Sequence, residues 1–398
     1  MKRNYTLDNN LMKIGLVLSQ APAYSETFFK AKIKGLQKSG FQVVLFCQNN
    51  KTGFKGCELK LFSKVAKNPI LQTAYMLRVC LGLLPYWRRV KAWYHLEQPK
   101  QLKTFLKQVY INAPILKSNL NWLHFGFATM ALQRETLAKA IGAKMAVSLR
   151  GYDIEVYPLK HSNCYRLLWQ HVNKVHAISR YLLEKGYGLG LPKATSHAII
   201  TPAINTNLFN NQNVNQRSAP LQITTVARLH WIKGLLETLE ALALAKAQGL
   251  DFRYQIIGEG TMREELLFAM HQLGLQKQVT LMGKMLPHQV LEALKRTGVY
   301  IQYSHSEGFC NAVLEAQAMG CLCLVSDGGA LPENVINGKT GWVVPKQQPK
   351  HLAKKLLDIV ALPQTTKQQL SQQARNRVKT QFTLAQQQEH FKQFYQTI

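Results

Sequence analysis

A chain of 398 residues is long enough for two packed domains, because single cores stop growing near roughly 250–300 residues. Its hydrophobic fraction of 46% is ordinary, and no apolar run approaches the roughly 20 residues that span a bilayer, so the pattern is that of a globular, soluble or peripheral protein. A formal charge of +29 attracts polyanions, either nucleic acid or anionic lipid, and residues 1–205 hold most of it, with 30 Lys+Arg against 8 Asp+Glu.

The first apolar stretch, Ile14 to Leu18, is too short for a secretory core and merges into the strand-like KIGLVLS, so no signal peptide is read despite Lys2 and Arg3. Thr27 to Ser39 has helical spacing closed by Gly40, and FQVVLFC reads as the next strand. The Asn-rich, Pro-ended stretch Asn205 to Pro220 is the expected linker. Beyond it LQITTVAR, FRYQIIG, QVTLMG, VYIQYS and CLCLVS are five strands, separated by helical stretches of crossover length. Two parallel α/β sheets follow, with domains at residues 1–204 and 221–380, a linker at 205–220, and a helix at 381–398 expected to pack back on the first domain. Seven cysteines, odd in number and without a Cys-x-x-Cys pair, fit buried thiols in a reducing compartment better than disulfides or zinc.

In open parallel sheets ligands sit beyond the carboxyl ends of the strands, and chemically distinctive loops follow the second-half strands. TTVARLHWIKG places Arg228 and Lys233 after one strand, where two cations can neutralise a departing diphosphate in the role often taken by Mg²⁺. No Asp-x-Asp pair is found and no metal is expected. IIGEGTMREEL brings Gly258 and Gly260, then a Thr261/Glu264 capping box; VTLMGKM brings Gly283 and Lys284, whose backbone can read a nucleobase edge. SEGFCNAVLEAQAMG puts Glu307, Gly308 and Phe309 in a loop entering a helix near Asn311, with an anion-binding N-terminus and Glu315 about 6 Å along the axis at roughly 1.5 Å per residue. From there Glu315 can accept hydrogen bonds from ribose hydroxyls, and Glu307 can meet the group beyond the phosphates. SDGGALPE closes the crevice with two glycines.

With these residues residues 221–345 resemble the nucleotide-binding half of the retaining family 4 glycosyltransferases, including the Glu307-x7-Glu315 spacing, and SETFFKAKIKGL resembles the subset acting on exopolysaccharide intermediates. The resemblance implies the GT-B fold of two Rossmann-like domains facing across a cleft. It further implies that Arg228 and Lys233 bind the donor diphosphate, Glu315 the ribose, and Glu307 with the Gly308 and Phe309 amides the donor sugar. The expected donor is a UDP- or GDP-sugar with no cofactor, and the expected product a glycan or lipid-linked glycoside of surface polysaccharide. A nucleotide-sugar epimerase or glycan phosphorylase of the same fold is the nearer alternative, and a basic nucleic-acid-binding protein the remote one.

Candidates for the facing wall lie in the first half. Ser25, Glu26 and Thr27 stand where relatives have glycines, although Ser25 or Thr27 also suits a helix cap. LHFG offers His124, equally readable as a satisfied core histidine; SLRGYD offers Arg150 and Asp153, with Arg150 where relatives often show histidine; HAISRYL offers Ser179. LGLLPYWRRVKAWYHL, Leu81 to Leu96, interleaves Leu, Trp and Tyr with Arg88, Arg89 and Lys91, which suits either a headgroup interface or a core helix with a basic outer face. The expected partners are a nucleotide sugar, the acceptor and an anionic membrane surface, at the inner face of the cytoplasmic membrane.

Overall fold

The continuous apolar runs become the strands of two separate parallel sheets in a computed structural model that describes residues 11–22, 27–210 and 220–397. One compact unit takes the described residues up to Ile178, Leu182–Ile200 and Gln388 onward; the other takes Ser179–Tyr181 and Thr201–Gln387. The division thus falls at Ile200/Thr201, a few residues before the expected linker.

In the first unit β1 (Lys13–Val17), β2 (Gln42–Cys47), β3 (Glu58–Leu61), β4 (Trp122–Phe125), β5 (Lys144–Leu149), β6 (Lys174–Ala177) and β7 (Ser196–Ile199) form one sheet in the order β3-β2-β1-β4-β5-β6-β7, every ladder parallel. Helices cover both faces, which is why the central strands read as unbroken hydrophobic stretches. The helices are α1 (Thr27–Lys38), α2 (Pro69–Leu81), α3 (Trp87–Glu97), α4 (Leu102–Leu116), the short α5 (Leu137–Ala140), α6 (Tyr157–Lys160) and α7 (Arg166–His171), and then α8 (Arg180–Gly188). Helix α1 buries Phe29, Ile33 and Leu36 at helical spacing, and α4 buries Phe105, Val109, Ala113 and Leu116 in the same way. Helix α2 differs: none of its 13 residues is buried.

The second unit holds β8 (Leu221–Val226), β9 (Phe252–Ile257), β10 (Val279–Gly283), β11 (Val299–Gln302), β12 (Leu322–Ser326) and β13 (Trp342–Val344) in the order β10-β9-β8-β11-β12-β13, again all parallel. Helices α9 (Leu235–Ala247), α10 (Arg263–Gln272), α11 (Pro287–Arg296), α12 (Asn311–Ala318), α13 (Leu331–Asn334), α14 (Pro349–Ala361) and α15 (Gln364–Gln381) cross over between strands or close the unit. The chain runs outward from β8 to β10 and then returns to β11 beside β8. Strand order therefore reverses between β8 and β11, which opens a crevice at their carboxyl ends.

The last helix, α16 (Leu384–Gln396), leaves the second unit, and from Gln388 it belongs to the first. Its Phe391, Phe394 and Tyr395 join the buried cluster of Ile14, Phe29, Ile33 and Trp122, and the Trp122 indole N–H donates to the Tyr395 carbonyl at 3.2 Å.

Candidate active site

Lys233 and Glu307 meet at the β8/β11 reversal. Two backbone contacts bring them there. The turn Trp231–Lys233 is pinned to the chain after β11 because His305 donates its N–H to the Ile232 carbonyl at 2.8 Å. Gly234 follows with φ 59, and a Cβ there would stand 2.0 Å from the Tyr303 carbonyl oxygen, so only glycine lets α9 start this close to β11. The Lys233 ammonium then lies 2.6 Å from Glu307 Oε1, with side chains 14% and 11% exposed.

Glu307 is held on one oxygen. Oε1 also accepts from the Ser304 hydroxyl at 2.8 Å and the Gln302 amide at 3.2 Å, whereas Oε2 has no partner among the described residues. The Glu307 carbonyl accepts the Ala330 N–H at 2.7 Å, which packs the SDGG loop behind it. A carboxylate fixed in this way presents one free oxygen in a fixed direction, the arrangement suited to receiving a hydroxyl. Ser304 and Gln302 were not singled out from sequence, because nothing marks a strand-end Gln or Ser as a carboxylate holder until the loop is folded.

Glu315 rides on α12, which begins at Asn311 as its spacing predicts. Burial without a compensating hydrogen bond or charge raises its carboxyl from 4.5 to about 7. At the helix start the Asn334 side chain brackets Cys310, accepting its N–H at 3.0 Å and donating to its carbonyl at 3.0 Å. The Cys310 amide is thus already used, while those of Gly308 and Phe309 have no partner among the described residues. Burial and the neighbouring Glu307 push the Cys310 thiol up to about 12, which keeps it neutral. The Phe309 ring is buried against Phe382 at 5.8 Å, and Asn311 is partly exposed.

Arg228 is exposed in the loop after β8, and no bond joins it to Lys233 or Glu307 among the described residues. Gly258, at φ 145, lies where a Cβ would be 1.9 Å from the Ala227 carbonyl oxygen, and Gly260 stands equally close to Leu229. These glycines zip the loops after β8 and β9 together, with Leu229 N–H donating to the Glu259 carbonyl at 3.0 Å, and so fix the base of the Arg228 loop. The Gly283 carbonyl accepts the Gly258 N–H at 2.8 Å, which leaves it less able to read a base edge, while Lys284 is exposed. The Thr261/Glu264 capping box does not form. Helix α10 starts at Arg263 with Met262 at the cap, whose N–H donates to the Leu229 carbonyl at 3.2 Å.

The first-unit candidates fare differently. Ser25 and Glu26, and the side chain of Thr27, lie outside the described residues. His124 has no exposed surface and lines no open wall, which corrects the site reading in favour of the core one. Its Nε2 lies 2.8 Å from the Ser148 hydroxyl and 3.3 Å from the Lys32 ammonium nitrogen, and its Nδ1 lies 2.6 Å from the Tyr395 hydroxyl. Ser148 continues to His176 Nδ1 at 2.8 Å. Burial holds Lys32, His124 and His176 well below their usual pKa values, in a buried polar seam that α16 closes. Asp153 is also interior. Its Oδ2 accepts the Ala128 N–H at 2.9 Å and its Oδ1 the Arg150 N–H at 3.1 Å, and burial raises its carboxyl to about 7. Asp153 therefore ties the turns after β4 and β5 together rather than facing a ligand. The Arg150 guanidinium, 9% exposed, donates to the Gly126 carbonyl and stacks 4.2 Å from the Phe28 ring centroid. Its side chain packs into these contacts rather than standing in open solvent. Ser179 is likewise buried. Among the described residues no group of His, Cys, Asp and Glu is arranged to hold a metal ion, and no helix is long and apolar enough to cross a membrane.

Residues 208–377 match the family described as Glycosyl transferases group 1. The chain is 25% identical over 393 residues to the Salmonella typhimurium protein called putative colanic acid biosynthesis glycosyltransferase WcaL, covering 93% of this chain and 96% of that one. It is 28% identical to the amylovoran biosynthesis glycosyltransferase AmsK of Erwinia amylovora over 59% of this chain and 60% of that one. Among solved structures, Anabaena Alr3699/HepE in complex with UDP superposes with a TM-score of 0.74 at 13% identity, over 98% of this chain and 100% of that one. The lipopolysaccharide outer core galactosyltransferase WaaB, in its apo form, gives 0.67 at 18%, over 96% and 99%. The fold is that of the GT-B glycosyltransferases.

Proposed function

We propose that this chain, whose residues 208–377 form a group 1 glycosyl transferase domain, moves a hexose-type sugar with retention from a nucleoside-diphosphate sugar to a glycan or lipid-linked acceptor in exopolysaccharide biosynthesis. The observation that carries the reading is the Lys233–Glu307 pair at the β8/β11 reversal, with Glu307 Oε2 and Glu315 both left for hydroxyl groups. Relatives named for colanic acid and amylovoran biosynthesis support the acceptor class, and a solved neighbour in complex with UDP makes uridine nucleotides the first donors to try.

In the reaction the acceptor oxygen attacks the anomeric carbon from the side the diphosphate leaves. The C1–O bond to the β-phosphate breaks with its electron pair on the phosphate, and the hydroxyl proton passes to that phosphate. Arg228 and Lys233 offset the charge gained by the leaving group, each charge-assisted bond contributing roughly 1.5–3 kcal/mol. Lys233 has three donor hydrogens, so it can reach a phosphate while still holding Glu307. Glu307 and the free Gly308 and Phe309 amides face the sugar, and Glu315 takes the ribose hydroxyls. Turnover on this account needs no divalent ion and survives chelation by EDTA. The excess charge of the first domain, 30 Lys+Arg against 8 Asp+Glu in residues 1–205, suits an acceptor held at an anionic membrane.

The test is a thermal-shift and turnover screen against UDP-, GDP- and ADP-sugars with product analysis. A transferase releases nucleoside diphosphate productively with acceptor, an epimerase makes a new nucleotide sugar without one, and a phosphorylase requires inorganic phosphate. Lys233→Ala and Glu315→Ala should each lose at least tenfold in donor affinity or turnover, about 1.4 kcal/mol. Unchanged kinetics in both would refute the reading.

A further inference from the structure

We propose that α2, with the turn and helix start that follow it, is an interfacial helix that lies in the plane of an anionic bilayer with its apolar stripe at the acyl boundary. This deepens the membrane part of the functional reading and rests on it, but not on the donor chemistry. Helix α2, PILQTAYMLRVCL, has only Gln72, Thr73 and Arg78 as polar residues, yet none of its residues is buried. A helix apolar on nearly all sides belongs in a core or in lipid, and this one lies at the protein surface. Ile70, Leu77 and Leu81 are 82%, 61% and 66% exposed. At roughly 100° per residue the three fall within about 40° of one another, forming a single stripe. In the turn and helix start that follow, Leu84 and Trp87 are also 63% and 54% exposed. Thirteen residues reach only about 20 Å, short of the roughly 30 Å hydrocarbon core, so the helix can lie in the interface but not span it.

The charge around the stripe identifies lipid as the occupant. Between Ser63 and Lys117 there are ten Lys+Arg and one acid, Glu97, which is turned inward to accept from the Trp93 indole at 3.2 Å. Lys64, Lys67, Arg78, Arg88, Lys91 and Lys103 are exposed, and Trp87 and Tyr94 add exposed amphipathic rings of the kind that sit at headgroup level. Cations set beside an anionic surface are drawn to it, and an apolar stripe ringed by them is held at the leaflet by both terms. The segment Leu81–Leu96 divides between its two sequence readings: Trp93 is buried, and Arg89 donates to the Leu116 and Ser118 carbonyls, whereas Trp87, Arg88 and Lys91 face outward.

Cys80 is the one cysteine classed as exposed among the described residues, and it sits at the edge of the stripe. In the full chain carrying Cys57→Ser and Cys164→Ser, a polarity-sensitive fluorophore on Cys80 should shift to the blue with phosphatidylglycerol-containing vesicles. It should be quenched by lipids spin-labelled near the headgroup, and should not respond to pure phosphatidylcholine. Leu77→Ser with Leu81→Ser should weaken vesicle partitioning at least tenfold while leaving thermal unfolding and UDP binding unchanged. If the chain binds anionic vesicles but the Cys80 probe stays in water, or the double variant binds as tightly, the role of α2 is overturned and membrane docking survives. If the chain binds no vesicles, both fall. A concentration-dependent dimer that the double variant abolishes, without vesicle binding, assigns the stripe to a second copy and overturns the proposal.

Discussion

Burial holds the Glu315 carboxyl on α12 up at about 7, which has two consequences of defined sign, the second resting on the proposed ribose contact. Its pKa is raised from 4.5 to about 7, so its contribution to stability is fully present below about pH 4.5 and is lost as pH rises through about 7. Glu315→Gln should therefore stabilise the empty protein above pH 7, by roughly 1–3 kcal/mol, readable as a Tm difference that vanishes near pH 4. Ribose hydroxyls bonding to the ionised form pull the other way. Donor affinity should rise with pH through about 7, with a limiting slope of tenfold per pH unit, and Glu315→Gln should flatten that profile in calorimetric titrations. Asp153 makes a contrasting case: Asp153→Ala leaves the buried Ala128 and Arg150 amides without their acceptor, at about 1–3 kcal/mol each, and should lower the denaturant midpoint without altering UDP affinity. The sequence singles out Glu307 and Glu315 only together with the loops that follow the neighbouring strands, because two acids across a loop and a helix start also suit a solvated helix face. It could not separate His124 and Asp153 from site residues. A polar residue after an apolar strand looks the same whether it turns outward or bonds to the neighbouring turn.

Elements of the second unit were legible because apolar-rich runs recur at crossover spacing: β11 and β12 are buried throughout, β8 and β9 in part, the edge strand β10 alternates, and all five fall where those runs predict. The edge strand β13, only Trp342–Val344, is too short to leave such a signal. Helix α10 shows the limit of local rules: Thr261 and Glu264 have capping-box spacing, but the Met262 amide pairs with the Leu229 carbonyl and the helix starts one residue later. The joints between elements are where substitution should act most strongly. Gly234→Ala forces a Cβ to 2.0 Å from the Tyr303 carbonyl at φ 59, which must separate the start of α9 from the end of β11. Lys233 should then lose its reach to Glu307, and turnover should fall by at least tenfold even where circular dichroism shows the sheet intact. Helix α2 was opaque for a different reason: an apolar helix carries one pattern whether protein or lipid covers it.

At the scale of the whole molecule, charge governs encounter. Vesicle association should weaken steeply between low and physiological salt, because the Debye length contracts to about 8 Å, whereas nucleotide binding inside the crevice should change far less. Chain connectivity governs assembly. The first unit is completed by residues from Gln388 onward, whose Phe391, Phe394 and Tyr395 fill its interior, yet 187 residues (201–387) intervene before they are made. A ribosome working at roughly 5–20 residues per second thus needs about 10–40 s to deliver the missing piece. During that time the nascent amino-terminal half has a vacant aromatic socket, and the carboxy-terminal half, contiguous but for three residues, can finish folding before it. A stop codon after Gln387 would make that interval permanent, and the product should be captured by chaperones or degraded although its transferase motifs are untouched.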